Sequence, residues 1–410
     1  MLYLSFSFFS SSFLLVLVVV VSNSFFIMRA QSYHVTMLPF YYPILHETEI
    51  SYNKKISRRF IGNEPLVMYL SVNQTSTTRT SLPFLNRKRF VIQSDVCPHM
   101  GGHLHKGWLS MNGGIHCPYH GFEFNEEGMF CNIPNPIQKY KRHQSSVCLD
   151  TYPIYHRHGY LFIPPSVRTP AYRPGMMVPS ITGRKKNMSM SSSSGNLEEY
   201  RLDVPFRPYF PPEANNPKFR MTCGAQVIHQ YQDIITENLL DMLHISYVHS
   251  FGSRLTPIPF DVSFQRIHDW GFRTKFLYCP NQGTISTNIG KVTTVIVENE
   301  FYMPSTTITR VIAGDVVKTI HTFTTPHEGK SSTLYWRIYR NFWTDPNIPF
   351  FDQLGDSLIT ILMKRTIQED CDILSKIYEE RRNAAFITKY DISIRKYREM
   401  IKKFQNVAER

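Results

Sequence analysis

A chain of 410 residues with 42% hydrophobic content is long enough for two or three domains with a sizeable core. Its 45 Lys and Arg against 32 Asp and Glu give a formal charge of +13, but the cations are scattered and there is no arginine-rich arm. That argues against a nucleic-acid binder and suits an acidic electron donor or an anionic membrane as partner for a basic face. Seven cysteines, an odd and sparse set, exclude a disulfide-framed secreted domain and point to a reducing compartment.

Residues 1–30 read as a hydrophobic anchor or targeting segment. Residues 1–28 carry no charge, and Phe13–Val21 is apolar throughout. The segment is close to the ~20 residues needed to cross a bilayer. Arg29, Lys54, Lys55, Arg58 and Arg59 follow it, which keeps the bulk of a membrane-anchored chain on the cytosolic side. The alternatives are a cleaved signal or organelle-targeting segment, or a true start at Met28 or Met37, with a cytoplasmic or organellar location.

Next, Ile61–Tyr69, Arg89–Ser94 and Tyr160–Ile163 read as short strands among many turn residues, an all-β unit placed at 58–165. Pro164–Asn196 then holds five prolines, a Lys-Lys pair and the run SMSSSSGN. This marks 166–198 as a linker or surface insertion. From 199 to 405 the texture is mixed. Thr293–Val297, Thr306–Ile312 and Thr333–Tyr339 alternate like strands. Helices are predicted near 230–249, from about Asp352 to Arg382, and over Ile392–Phe404. The class is therefore α+β. No internal repeat, no helix-opening G-x-G-x-x-G and no P-loop is present, so no nucleotide site is visible.

The all-β unit contains Cys97-Pro-His99 and Cys117-Pro-Tyr-His120, with 17 residues between His99 and Cys117. Each half offers one thiolate and one imidazole. In a Rieske centre two Cys hold one iron of a [2Fe-2S] cluster and two His hold the other, and the neutral imidazoles raise its potential by removing negative charge. Zinc also takes Cys₂His₂, but C-x-H is too tight for most zinc motifs. His103, His105 and His116 are read as polar loop histidines, not ligands.

A second candidate lies in ENLLDMLHISYVH, Glu237–His249. His244 and His249 are five apart at the end of the predicted helix, and Glu237, Asp241 and His244 fall at i, i+4 and i+7, one helical face. A lone H-x-x-x-x-H is a weak signal. Non-haem Fe(II) that activates O2 uses two His and one carboxylate, so a third ligand is needed. TIQEDCDIL offers Glu369, Asp370 and Asp372. Met363, Ile367, Leu374 and Ile377 form an apolar stripe with Asp370 in its gap, and a carboxylate there needs a partner. Asp372 falls on the opposite side with Glu369 and Lys376, which reads as a solvated face.

C-P-H-x-G-G-x-L and C-P-Y-H-G-F-x-F resemble the Rieske domain of the Rieske non-haem iron oxygenases. E-N-x-x-D-x-x-H-x-x-x-x-H and Glu369–Leu374, E-D-x-x-I-L, resemble the mononuclear-iron motifs of the same family. Tyr390–Arg398 is similar to the closing helix of members that act as O-demethylases, hydroxylases and desaturases. The chain departs from the respiratory Rieske class, since Gly102 and Tyr119 stand where that class has an extra disulfide.

The resemblance implies an all-β Rieske domain followed by a helix-grip catalytic domain, an antiparallel sheet with covering helices. It implies a Rieske [2Fe-2S] cluster on Cys97, His99, Cys117 and His120, and a mononuclear Fe(II) on His244, His249 and Asp370. Asp241 would link a cluster histidine of one subunit to an iron-ligand histidine of its neighbour in a homotrimer, with Asn238 supporting the site. An external reductase or ferredoxin would donate electrons. O2 and a small hydrophobic or aromatic organic substrate would react by mono-oxygenation, demethylation or desaturation. Tyr247, Phe251, Phe301 and Trp336 are candidate pocket aromatics, although an aromatic is more often plain core. The rival readings are a Rieske electron-transfer protein without oxygenase activity and a membrane-tethered zinc protein.

Overall fold

The computed structural model describes residues 16–21, 24–29, 40–49, 56–71, 89–132, 148–164, 207–281, 283–345, 348–377 and 388–408. The linker or insertion expected at 166–198 lies outside them, as do residues 1–15. The chain divides into two units, 1–36 and 37–410. In the first, β1 (Val16–Val21) and β2 (Ser24–Arg29) pair antiparallel, Val16 opposite Arg29. The valine run is β-branched and favours a strand. Among the described residues no helix is long and apolar enough to cross a membrane, so the expected spanning segment is not a helix over these residues.

The second unit begins with small antiparallel sheets. Their strands are β3 (Tyr42–His46), β4 (Ile56–Ile61), β5 (Glu64–Ser71), β6 (Arg89–Ser94), β7 (Trp108–Leu109), β8 (Ile115–His116), β9 (Glu123–Phe124), β10 (Phe130–Asn132), β11 (Tyr155–Arg157) and β12 (Tyr160–Ile163). They assemble in the orders β4-β5-β6, β10-β9-β8-β7 and β11-β12-β3. The single strand expected over Ile61–Tyr69 is instead the end of β4, a turn and β5. Gly62 takes φ +56, a value that costs glycine little, and reverses the chain there. Strands 89–94 and 160–163 fall where the alternation puts them.

A seven-stranded antiparallel sheet follows, built from β13 (Arg220–Ile228), β14 (Phe260–His268), β15 (Gly271–Tyr278), β16 (Val295–Tyr302), β17 (Thr306–Ala313), β18 (Val316–Pro326) and β19 (Ser332–Arg340). Its order is β13-β19-β18-β17-β16-β15-β14. Among the described residues five α-helices accompany it: α1 (Gln232–Leu240), α2 (Ile245–Val248), α3 (Ile285–Gly290), α4 (Pro349–Leu374) and α5 (Ile392–Ala408). α4 packs on β13, α1 on β18 and β17, and α3 on β17. The architecture is α+β, small β sheets ahead of a large helix-covered antiparallel sheet.

The helix predicted over 230–249 is two helices with a break. Asp241 is extended (φ −71, ψ 130), and its Oδ1 accepts the Leu243 N–H at 2.8 Å. An Asp side chain that bonds the backbone two residues on competes with the helix. Glu237, Asp241 and His244 therefore do not share one helical face. α4 ends at Leu374, short of Arg382, and Ile377 lies past its end at 37% exposure. Met363, Ile367 and Leu374 of the expected stripe are buried with Ile234, Trp336 and Ile338. Each such side chain contributes about 1.5–3 kcal/mol of burial.

Where the small sheets meet the large one, Arg337 Nη2 donates to His46 Nε2 at 3.0 Å and also bonds the His158 carbonyl. Burial, then the Arg337 guanidinium, lowers the His46 pKa to about 4. Below pH 6.5 the unfolded chain takes up a proton that folded His46 refuses, so stability falls as pH drops from about 6.5 towards about 4. One group contributes a slope of up to about 1.4 kcal/mol per pH unit. His46→Gln should flatten the fall in urea midpoint between pH 6.5 and pH 5 by that slope. An unchanged pH dependence would remove His46 from the account.

Candidate metal centres

Cys97 and Cys117 open two loops of the same design. Cys97 N–H donates to the Gly102 carbonyl at 2.9 Å, and Gly101 N–H to the Cys97 carbonyl at 2.9 Å. In the second loop Cys117 N–H donates to Phe122 O at 2.8 Å, and Gly121 N–H to Cys117 O at 2.9 Å. Gly101 and Gly121 both adopt φ +72, which closes each turn. Both cysteines are buried, whereas His99 and His120 are exposed. The two imidazoles sit edge to face, centroids 4.8 Å apart. Phe122 stacks under His99 at 4.3 Å and Tyr119 under His120 at 3.9 Å.

The four donors fit a two-iron cluster better than one ion. Among the described residues, the donor sets whose ligand atoms all lie within 4.8 Å of one another are Asp95/His103/His105 and His244/His249/Asp370. The cysteine–histidine quartet is not one of them, yet four ligands at about 2.0–2.3 Å from a zinc would be. A Cβ on Gly102 would stand 2.9 Å from Cys117 Sγ and 3.2 Å from Tyr119 Cβ, so the loops approach as closely as a glycine allows. Burial pushes the Cys97 thiol up to about 11, and Cys117 beside it adds to the rise. A cationic cluster relieves that cost.

Two of the remaining histidines of the stretch bond within the loops. His105 Nδ1 lies 2.7 Å from Asp95 Oδ2, and the His105 backbone N–H donates to Asp95 Oδ1 at 2.7 Å. Arg58 supplies a cation to Asp95, 2.9 Å away, and His105 Nδ1 occupies the same carboxylate. His116 Nδ1 donates to the Gly121 carbonyl at 3.2 Å.

The second centre joins α2 and α4. His244 Nε2 and His249 Nε2 are 3.2 Å apart, and Asp370 Oδ1 lies 3.6 Å from the first and 3.5 Å from the second. Three ligands at right angles, each about 2.1 Å from a metal, would be about 3 Å apart. The other ring nitrogens set the tautomers. His244 Nδ1 donates to the Asp241 carbonyl at 3.0 Å, and His249 Nδ1 to Glu369 Oε2 at 3.1 Å. Both Nε2 atoms then present lone pairs to each other and to a carboxylate oxygen. Asp370 Oδ1 is buried with no hydrogen-bond donor. Three acceptors this close repel until a cation sits among them, and that fits a metal.

Burial, then the neighbouring His244, lowers the His249 pKa against the pull of Asp370 and Glu369, which disfavours the charged ring and suits a metal ligand. Burial alone would raise Glu369, but hydrogen bonds from His249 and Ser250 outweigh it and hold its carboxyl below the usual range. Glu369 therefore does not belong to the solvated face predicted for it. Asp372 does: it is exposed and bonded by Gln368 at 2.8 Å. The i−1 position beside Asp370 was the only signal for Glu369, because its partner lies 120 residues away.

Asp241 keeps its carboxylate off His244; its backbone carbonyl makes that contact. Asn238 O accepts the Asp241 N–H at 3.2 Å, and its side chain makes no hydrogen bond among the described residues. Glu237 is held by Arg398 of α5 at 2.7 and 2.8 Å, which ties the closing helix to α1. Of the candidate aromatics, Phe251 stacks on His249, centroids 4.9 Å and 15° between planes. Tyr247 is exposed, and Phe301 and Trp336 are buried in separate clusters.

Comparison with known proteins agrees with this layout. The Rieske [2Fe-2S] domain matches residues 40–153, and the vanillate O-demethylase oxygenase C-terminal domain matches 229–406. Together the two spans take in more than half of the chain. Protochlorophyllide-dependent translocon component 52, chloroplastic, of Arabidopsis thaliana is 26% identical over 180 residues, 42% of this chain and 26% of that protein. The vanillate O-demethylase oxygenase subunit of a Pseudomonas species is 25% identical over 162 residues, 40% of this chain and 35% of that protein. The chain thus spans about a quarter to a third of the length of these curated relatives. Among solved structures, dicamba monooxygenase bound to dicamba gives a TM-score of 0.63 at 19% identity, covering 91% of this chain and 98% of that one. Pseudomonas putida CBB5 NdmA with caffeine gives 0.63 at 16%, covering 90% and 92%; likeness at these identities shows the fold. With both domain types in the family's order, the chain belongs to the Rieske non-haem iron oxygenases.

Proposed function

We propose that this chain is a terminal oxygenase component that mono-oxygenates, demethylates or desaturates a small hydrophobic or aromatic organic substrate. The observation that carries it is the triad: two imidazole nitrogens and a buried carboxylate oxygen without a hydrogen-bond donor converge at 3.2–3.6 Å in the same unit as a second, cysteine–histidine donor set. An electron carrier needs only the second set, and a zinc protein needs neither this triad nor two separate centres. Residues 58–165 and 199–405 form the two domains in this reading.

Cys97 and Cys117 would hold one iron of a Rieske [2Fe-2S] cluster and His99 and His120 the other; His244, His249 and Asp370 would hold the mononuclear Fe(II). When bound, these groups supply one-electron transfer and O2 activation. The chain's own residues do the rest. The Asp241 carbonyl and Glu369 each hold an imidazole N–H, which keeps the two Nε2 atoms bare and the rings fixed. Phe251 covers one face of His249. Cys97 and Cys117 are buried and would hold the cluster from the protein side, while His99 and His120 are exposed beside Met100 and Tyr119, which are 61% and 60% exposed.

That surface suits contact with an external reductase or ferredoxin, and the +13 charge suits an acidic one. It also suits a second copy of the chain. Only one Asp241 carboxylate oxygen has a hydrogen bond among the described residues, to Leu243 N–H. In a homotrimer the other would meet a cluster histidine of a neighbouring copy. For location, the chloroplastic relatives favour the organellar alternative over a membrane anchor.

The test is metal content of the anaerobically purified chain. About three irons and two acid-labile sulfides per chain, without zinc, are expected, with the reduced EPR signal of a histidine-ligated cluster. Two irons with two sulfides would return the chain to the electron-carrier reading.

A further inference from the structure

α4 buries one side in the core, through Ile359, Met363 and Ile367. The opposite side of a surface helix normally carries polar residues. Over its first half α4 instead presents Phe350, Phe351, Leu354, Leu358, Ile361 and Leu362 there, between 40% and 74% exposed. None of the six belongs to a core cluster. The other exposed residues from 350 to 362 are Gln353 and Ser357, so no exposed charge interrupts the stripe. Steps of three and four residues keep it on one face, the spacing of a seam between paired helices.

Two features say what covers this face. The first is symmetry. From Phe350 to Leu362 the steps between the six are 1, 3, 4, 3 and 1, which read the same from either end. Two such stripes laid antiparallel about a two-fold axis put Phe350 beside the partner's Leu362, Phe351 beside the partner's Ile361 and Leu354 beside the partner's Leu358. Each contact then occurs twice, which is the self-complementarity an isologous interface requires. The second is area. At their exposures the six side chains present roughly 600 Å² of apolar surface, the upper end of what a monomer leaves open. Doubled across a two-fold axis this reaches about 1,200 Å², enough for a stable specific contact. A membrane surface fits less well. A helix lying on an anionic bilayer carries cations along its polar flanks. α4 has no Lys or Arg from 350 to 362, and Lys364 and Arg365 follow at one end only.

We propose that the outer face of α4 is a two-fold interface with a second copy of this chain, the two helices antiparallel and about 8–10 Å apart. Asp370 sits on the buried side of the same helix, about 12 Å beyond Leu362, so the pairing leaves the triad uncovered. The contact does not depend on the oxygenase reading. It also differs in kind from the link through Asp241, which belongs to a three-fold arrangement. Alone it gives two chains, and together with a homotrimer it gives six.

The test uses the full chain, purified without oxygen, and counts chains by sedimentation equilibrium at several concentrations. The parent should contain an even number. Leu354→Glu combined with Leu358→Glu sets carboxylates against each other in the middle of the contact and should halve that number, with iron and sulfide contents unchanged. Leu354→Lys combined with Leu358→Lys should do the same. An equimolar mixture of the two variants should return to the parent's number, which damage to the fold would not allow. A parent with an odd number of chains would overturn the proposal. So would an even number that the paired substitutions leave intact, or a mixture that stays at half. Flotation of an odd-numbered parent with phosphatidylcholine vesicles would assign the stripe to a membrane surface instead.

Discussion

Asp370→Ala should yield a folded chain that keeps its cluster and loses its mononuclear iron. Iron should fall from about three to about two per chain while acid-labile sulfide stays at about two, and turnover should drop by at least about 10³-fold. The argument separates metal loss from misfolding. Asp370 sits on the buried stripe of α4 between Ile367 and Leu374, and its Oδ1 has no hydrogen-bond donor. Removing an unpaired buried carboxylate does not weaken the apo fold, and alanine is the best helix former. What is lost is one of three donors, and with it the charge that balances the metal. Asp372→Ala, on the exposed side of the same helix and with its carboxylate bonded by Gln368, should change neither iron nor turnover. Retention of the third iron by Asp370→Ala would move the ligand to Glu369, which already holds His249 Nδ1.

That choice between neighbouring acids shows what the sequence can carry. Met363, Ile367 and Leu374 define a buried side of α4 through periodicity alone, so Asp370 is legible as a buried acid before any fold is known. The paired cysteine–histidine spacings are equally local, because each loop closes on itself through bonds such as Gly101 N–H to Cys97 O. Strands such as Thr306–Ala313 carry their β-branched alternation openly. The failures share a cause of the opposite kind. The break at Asp241 depends on one side chain taking the Leu243 N–H, and a helical pattern of apolar residues hides it. Gly62-Asn63 is a turn signal that a longer apolar run obscured. Glu369 draws its meaning from His249, which only the folded chain brings near.

The cluster site should prove as sensitive to one added side chain as the iron site is to one removed. Gly102→Val should abolish the cluster, with acid-labile sulfide below about a tenth of the parent value and about one iron per chain left at the triad. The cause is steric. A Cβ at position 102 meets Cys117 Sγ at 2.9 Å and Tyr119 Cβ at 3.2 Å, and valine adds two more carbons. A thiol at the end of a side chain could ordinarily swing aside at little cost. Cys117 cannot do so and still hold iron, and the backbone of residue 102 cannot retreat, because its carbonyl accepts the Cys97 N–H at 2.9 Å. The contact therefore forces apart the two loops that must close on one cluster. Gly101→Ala is the control that tells crowding from backbone strain. A Cβ there meets nothing within 4 Å, but φ is +72, so alanine costs about 1–2 kcal/mol of stability and the sulfide should remain. A Gly102→Val chain with full sulfide would mean that the cluster is held with the loops farther apart than this packing, and that Gly102 answers to something other than the closeness of Cys117.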